Sequence, residues 1–236
     1  MPNSFASLVV AAVVWTFVHL GVSGTSLRAH MVRAVGERAF RILFSLGSFA
    51  LIFWLVESYI RAGPVDVLWT TPHWLIVMCM LLMVPAILLF IGAVSVPNPT
   101  MVAGGSALAS QHPARGLLRL TRHPMLWSFA IWAAIHAIML GTLGALVFFG
   151  AFLVVALAGM PSLDAKIAKR DPRHWAVYAM ATSIVPFVAI AQGRNRLVLA
   201  EIGWWRIAAT LVVWCALVSA HQWLFHIPAW DLLSGR

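Results

Sequence analysis

Six apolar stretches, each about the length of a bilayer crossing, dominate this 236-residue chain. They occupy residues 4–22, 40–60, 74–96, 124–140, 142–160 and 204–225. A hydrocarbon core of about 30 Å needs roughly 20 consecutive apolar residues in a helix, whose backbone groups satisfy one another. The expected fold class is all-α: a polytopic integral membrane protein with about six transmembrane helices. Gly141 is the only turn signal between the fourth and fifth stretches, which predicts a tight helical hairpin. Composition closes off the alternative of a soluble globule. Charged residues make up 10% of the chain and hydrophobic residues 62%, against about 25% charged in an ordinary soluble domain. A disordered chain and a secreted disulfide scaffold are excluded on the same grounds. Cys79 and Cys215 lie far apart inside apolar runs, so neither a disulfide framework nor a paired-cysteine metal site is expected.

The few charges define a topology. Fourteen of the sixteen basic residues fall in segments 24–39, 97–123 and 161–203 or at their edges; only Arg61 and Arg236 fall elsewhere. Basic loops stay in the cytoplasm, so these three segments face inward and both termini face out. The net charge of +9 then reports orientation, and no nucleic-acid partner is implied. Residues 1–4 carry no Lys or Arg, so the first stretch reads as an uncleaved helix despite the small Ser23 and Gly24 after it. Within 25–39, Leu27, Met31 and Val35 recur among arginines, which suits an amphipathic helix on the membrane surface. Residues 183–191 are apolar but too short to span, so a re-entrant or interfacial course is expected. The whole chain, 1–236, reads as one transmembrane domain.

Three of the nine histidines, His19, His136 and His221, fall inside expected spans. Ionisable groups at that depth are costly and read by default as functional, although a neutral imidazole can also simply tie helices together. Glu57 lies near the outer end of its span and no acid lies near the bilayer centre, so a carboxylate-rich metal site is not expected. Imidazoles among apolar and aromatic residues suit haem iron better than zinc or magnesium. Trp15 and Trp132 stand four residues before His19 and His136, on the same helix faces.

The triplet Arg122-His123-Pro124 opens the fourth span, with proline at a helix position that needs no N–H. Arg119, Arg122 and His123 crowd a helix N-terminus, where the macrodipole disfavours cations. Two readings stand side by side: the cations bind an anionic ligand group, or they reach lipid phosphates.

The runs His19-Leu-Gly-Val-Ser-Gly-Thr-Ser-Leu-Arg28, Gly36-Glu-Arg38, Arg41, Phe44-Ser45, Thr121-Arg-His-Pro-Met-Leu126 and Ala134-Ile-His136 resemble the NnrU family. Its 15-cis-zeta-carotene isomerase branch is similar in Arg119-Leu-Thr-Arg-His-Pro124, Trp132–His136, Asp164–Arg170, and Ser183-Ile-Val-Pro-Phe-Val-Ala-Ile190 with Gly193-Arg194. The resemblance covers nearly the whole chain. It implies a multi-span protein carrying haem b on axial histidines and acting on a cis double bond of an apolar polyene. It equally allows a factor in nitrogen-oxide metabolism or denitrification, for which a bacterial inner membrane would be the location. Carried over by position, the iron ligands are His19 and His136. The wider cofactor-binding set is Arg28, Arg38, Arg41, Arg122, His123 and His221. Ala133 stands where the isomerase pattern has a cysteine, so a thiolate-based redox switch is not expected.

Depth argues differently from the resemblance. His136 lies 13 residues beyond His123, roughly 20 Å along a helix, whereas His19 lies near the cytoplasmic end of its span. By depth alone His136 pairs with His221 and His19 with His123; the resemblance selects His19 with His136. A second resemblance is to membrane methyltransferases acting on isoprenylcysteine, phospholipid or small thiols with S-adenosylmethionine. Its matching positions are Arg122, His123, Pro124, Asp164, His174, Tyr178 and Pro186, with Asp164 as the single acid. An enzyme of the first kind would be an isomerase; whether the chain is catalytic is left open by its residues.

Overall fold

In the computed structural model, residues 2–22, 25–101, 104–110 and 112–234 are described, so Ser23, Gly24 and Arg236 lie outside the described residues. Twelve α-helices are described: α1 Pro2–Thr16, α2 Ser26–Val35, α3 Glu37–Ala62, α4 His73–Ser95, α5 Gly105–Leu108, α6 Pro124–Leu140, α7 Leu143–Arg170, α8 Pro172–Ala181, α9 Val188–Ala191, α10 Leu199–Ile202, α11 Trp204–Phe225 and α12 Ala229–Ser234. A π-helical turn, Phe17–Val22, follows α1, and a 3₁₀ turn, Gly116–Arg119, precedes α6. The all-α expectation holds: among the described residues the only β-type pairing is an isolated bridge between Val67 and Thr142.

Among the described residues, five helical segments are long and apolar enough to cross a membrane: Ser4–Val22, Glu37–Ala62, His73–Ser95, Leu143–Arg170 and Trp204–Phe225. The remaining expected span is the apolar helix Pro124–Leu140, shorter at 17 residues. At 1.5 Å per residue it measures roughly 25 Å, somewhat under the hydrocarbon thickness. Gly141 and Thr142 alone separate α6 from α7, as the turn signal predicts.

The chain divides into two compact units, Met1–Thr71 with Ala133–Ser162, and Pro72–Trp132 with Leu163–Arg236. In the first, α1 lies along α3. Ala11 and Ala12 are buried beside Leu8, small side chains that let helical backbones approach, and Phe40, Leu55 and Ser58 are the buried positions of α3. The hydroxyls of Ser7 and Ser58 meet at 2.9 Å. The loop before Thr71 caps the end of α6, where helical carbonyls have no partners of their own. Trp69 Nε1 and Thr71 Oγ1 both donate to the Ile138 carbonyl, at 2.9 and 2.8 Å, and Leu68 N–H donates to Gly141 at 2.8 Å. Gly141 has φ +58°, and a Cβ there would stand 2.3 Å from the Trp69 carbonyl oxygen. Helix α2 begins at a Thr25 cap and ends at Gly36. Its Leu27, Met31 and Val35 are all exposed on one stripe, in agreement with the amphipathic reading.

In the second unit α4 packs against α11. Trp214 Nε1 donates to the Met80 carbonyl at 3.0 Å, and Arg206 Nε donates to Ser95 Oγ at 2.7 Å. Gly92 admits Leu117, whose Cδ1 would stand 2.1 Å from an added Cβ. Helix α8 starts at Asp171, whose carboxylate accepts the His174 N–H, with Pro172 in its first turn. Cys79 is buried and Cys215 exposed, and both are free thiols, as their placement in apolar runs implies.

Candidate functional site

His19 sits within the π-helical turn that follows α1. Such turns carry one more residue than an α turn and recur at functional positions. Its Nδ1 lies 2.8 Å from the Trp15 carbonyl oxygen. A carbonyl can only accept, so Nδ1 carries the proton and the uncharged ring presents its lone pair on Nε2. That nitrogen lies 3.4 Å from Ser48 Oγ on α3. The rings of Trp15 and Phe44 flank the imidazole, with centroids 3.8 and 5.6 Å away.

His136, on α6, stacks on Phe149 of α7 at 5.0 Å and 26°. Ring contacts then run from Phe149 to Phe148 at 4.9 Å, from Phe148 to Phe152 at 5.4 Å, and from Phe152 to Trp15 at 5.0 Å. The two histidines selected by the family resemblance thus stand in one unit, joined by a continuous aromatic path. The surrounding consists of an oriented imidazole and flat aromatic side chains, the residue types that haem sites use. A further observation points the same way. The indole Nε1 of Trp15 is buried with no hydrogen-bond partner among the described residues, so a donor adjoins His19 with nothing to serve.

The other expected site residues are distributed elsewhere. Arg28 and Arg41 both face Glu37, at 2.5 and 3.6 Å, and the Arg28 guanidinium also lies over the Phe40 ring at 5.2 Å. Arg38 is exposed. His221 belongs to the second unit, where its ring packs on Phe225 at 4.8 Å.

The second unit gathers the Arg122-His123 pair around Asp164. His123 Nε2 stands 2.7 Å from Asp164 Oδ1, and Arg122 NH2 and Nε stand 2.7 and 2.9 Å from Oδ2. The His123 side chain is fully buried. Arg122 also donates to the Thr182 carbonyl at 3.2 Å and lies over the Trp175 ring at 5.4 Å. Thr121 Oγ1 and Trp127 Nε1 donate to the Ile184 carbonyl at 2.6 and 2.8 Å, fixing the apolar segment that follows α8. Tyr178 is buried beside this cluster, and burial pushes its phenol well above the usual range. Both Tyr178 Oη and His123 Nδ1 lack hydrogen-bond partners among the described residues. An open groove of about 780 Å³ adjoins, with Arg122, Trp175, Thr182, Ser183 and Arg194 in its walls.

Arg119 forms a two-pronged pair with Glu201, both contacts at 2.7 Å, and Glu201 also accepts the Gly116 N–H at 2.8 Å. Hydrogen bonding to Arg119 holds the Glu201 carboxyl down at about 2 and raises the guanidinium in turn. The arginines crowding the start of α6 are thus neutralised by carboxylates of their own unit, an arrangement that neither the anion nor the lipid reading contained. Charge balance at a helix N-terminus supplies the reason. Glu201 and Ser48 were not legible as site partners, because each lies far in sequence from the residue it meets and belongs to no motif.

The model of the NnrU protein family matches residues 7–229. Among curated proteins, the chain is 24% identical over 204 residues to a protein of Arabidopsis thaliana named 15-cis-zeta-carotene isomerase, chloroplastic, covering 80% of this chain and 51% of that one. It is 26% identical over 204 residues to the protein of the same name from Zea mays, covering 80% and 52%. The chain therefore spans about half the length of these relatives. Their names place them in chloroplasts, which gives the bacterial inner membrane no support. No solved structure matches the chain.

Proposed function

The chain belongs to the NnrU family, and from that premise we propose that it is a membrane-embedded isomerase of an apolar polyene holding haem b between His19 and His136. The observation that carries this reading is the geometry at His19: one ring nitrogen tied to the backbone, the other presented among aromatic side chains that lead to His136. The isomerase relatives support the reaction class. When bound, the haem would supply an iron centre able to interact with a polyene and weaken its double bond.

The chain's own residues perform the rest. The Trp15 carbonyl fixes the tautomer and orientation of His19. Phe44, Phe152 and Phe149 form apolar walls that suit a hydrocarbon substrate and keep water from the imidazoles. The Trp15 N–H offers a hydrogen bond to an acceptor on a bound group. A direct test supplies the haem-loaded protein with a cis polyene and follows the cis–trans ratio by chromatography. Conversion that fails in both His19→Ala and His136→Ala supports the reading; conversion unaffected by either overturns it. A non-catalytic role in nitrogen-oxide metabolism would leave the polyene unchanged while the haem signal persists.

One observation favours a second reading. Arg122, His123, Asp164 and Tyr178, four of the seven positions at which the sequence resembles membrane methyltransferases, lie in one cluster, and Arg122 and the segment after α8 also wall an open groove. On that reading the groove binds S-adenosylmethionine. Calorimetric titration decides: binding that Asp164→Asn weakens favours it, and absence of binding removes it.

A further inference from the structure

We propose that Ser48 is the resting partner of His19, its hydroxyl occupying the Nε2 lone pair that a metal would take, so that Ser48 sets how readily His19 becomes a ligand. The inference rests on the assignment of His19 as an iron ligand. It begins from the accounting of hydrogens. Nδ1 is the donor to Trp15, so Nε2 of the neutral ring can only accept, and Ser48 Oγ is therefore the donor across the 3.4 Å contact.

Ser48 does not turn back on its own helix. Thr16 turns back on its helix, bonding the carbonyl of Ala12 four residues earlier. That is the ordinary choice for a helical hydroxyl in an apolar setting. Ser48 reaches instead to a side chain 29 residues away. Phe44, one turn earlier on α3, meets the edge of the same imidazole, so this face of α3 both walls and satisfies His19.

With both nitrogens bonded, the imidazole is stable in an apolar span without any cofactor. The contact is nevertheless longer than a strong O–H···N bond and is readily exchanged for a metal bond. The wider π turn around His19 places that exchange where helical geometry is already relaxed. Ser48 is thus a positioning residue: it holds the side chain ready and yields when the ligand arrives.

The test is a haem titration of the detergent-purified, haem-free protein, read by the Soret band, together with melting curves of the haem-free and haem-loaded forms. Ser48→Val removes the donor and Ser48→Thr, of the same shape, keeps it. Ser48→Val is expected to bind haem about two- to tenfold more tightly than wild type, the worth of one modest hydrogen bond. Its haem-free form should melt lower, while its haem-loaded form melts with the wild type. Ser48→Thr and the exposed neighbour control Ser45→Ala should match the wild type in both. A merely structural serine would lower both melting curves and leave affinity unchanged or weaker, and that result overturns the proposal. Should Ser48→Val not fold, Ser48→Ala is expected to show the same signs, and weaker binding there also overturns it. A wild-type protein with no Soret band, or one whose band ignores His19→Ala, overturns the ligand assignment itself and the proposal with it.

Discussion

At the scale of single residues, unmet hydrogen-bonding groups are the most telling features of this protein. A buried donor without an acceptor costs about 1–3 kcal/mol, so it persists only where something other than stability maintains it. Trp15 Nε1 is such a donor beside His19. Trp15→Phe should therefore leave the haem-free protein at least as stable in a thermal melt, while weakening haem in a titration. A large loss of stability with unchanged haem binding would make Trp15 a packing residue only. Asp164 is the opposite case, a carboxylate whose two oxygens are both engaged by Arg122 and His123. Asp164→Asn leaves a nearly buried guanidinium without its counter-charge and should cost about 3 kcal/mol. In a double-mutant cycle of melting temperatures, Arg122→Ala combined with Asp164→Asn should cost clearly less than the sum of the two.

At the scale of elements, the fold depends on how helix ends are finished. The Gly63–Thr71 loop supplies the end of α6 with donors, and Gly141 makes this contact by having no side chain. Gly141→Ala combines a left-handed backbone, worth about 1–2 kcal/mol for a residue with a Cβ, with a clash against the Trp69 carbonyl. It should lower the melting temperature more than Gly150→Ala, where an added Cβ meets open space. The Arg119–Glu201 clasp carries a pH signature. Its carboxyl titrates at about 2 instead of 4.5, so its contribution is complete above about 4.5 and is lost as pH falls towards 2. Glu201→Gln should remove that part of the acid dependence in melts run from pH 5 to 2.5; an unchanged acid slope would contradict it.

At the scale of the whole molecule, the apolar stretches predicted the elements well because burial in lipid demands long uninterrupted helices. Residues 4–22 and 204–225 match candidate spans of the structure residue for residue, and Gly141 marks the turn where it was expected. The stretch at 124–140 also became a helix, but its length falls short because Pro124 and Gly141 fix both ends. Pairings were less legible than elements. Nothing in sequence links His19 to Ser48 or Arg119 to Glu201, since each contact depends on how helices dock; Arg122 and Asp164 were grouped only by the resemblance to membrane methyltransferases. The histidines stood out because ionisable groups are rare in these spans, whereas the serine that meets one of them looks like any other.

We propose that His19 and His136 together hold haem b. An absorption spectrum of the detergent-purified protein, from cells supplied with haem precursor and recorded oxidised and reduced, tests it most directly. A Soret band that moves on reduction, and that His19→Ala and His136→Ala each alter, is the predicted result. A colourless protein, or a spectrum indifferent to both substitutions, would contradict it.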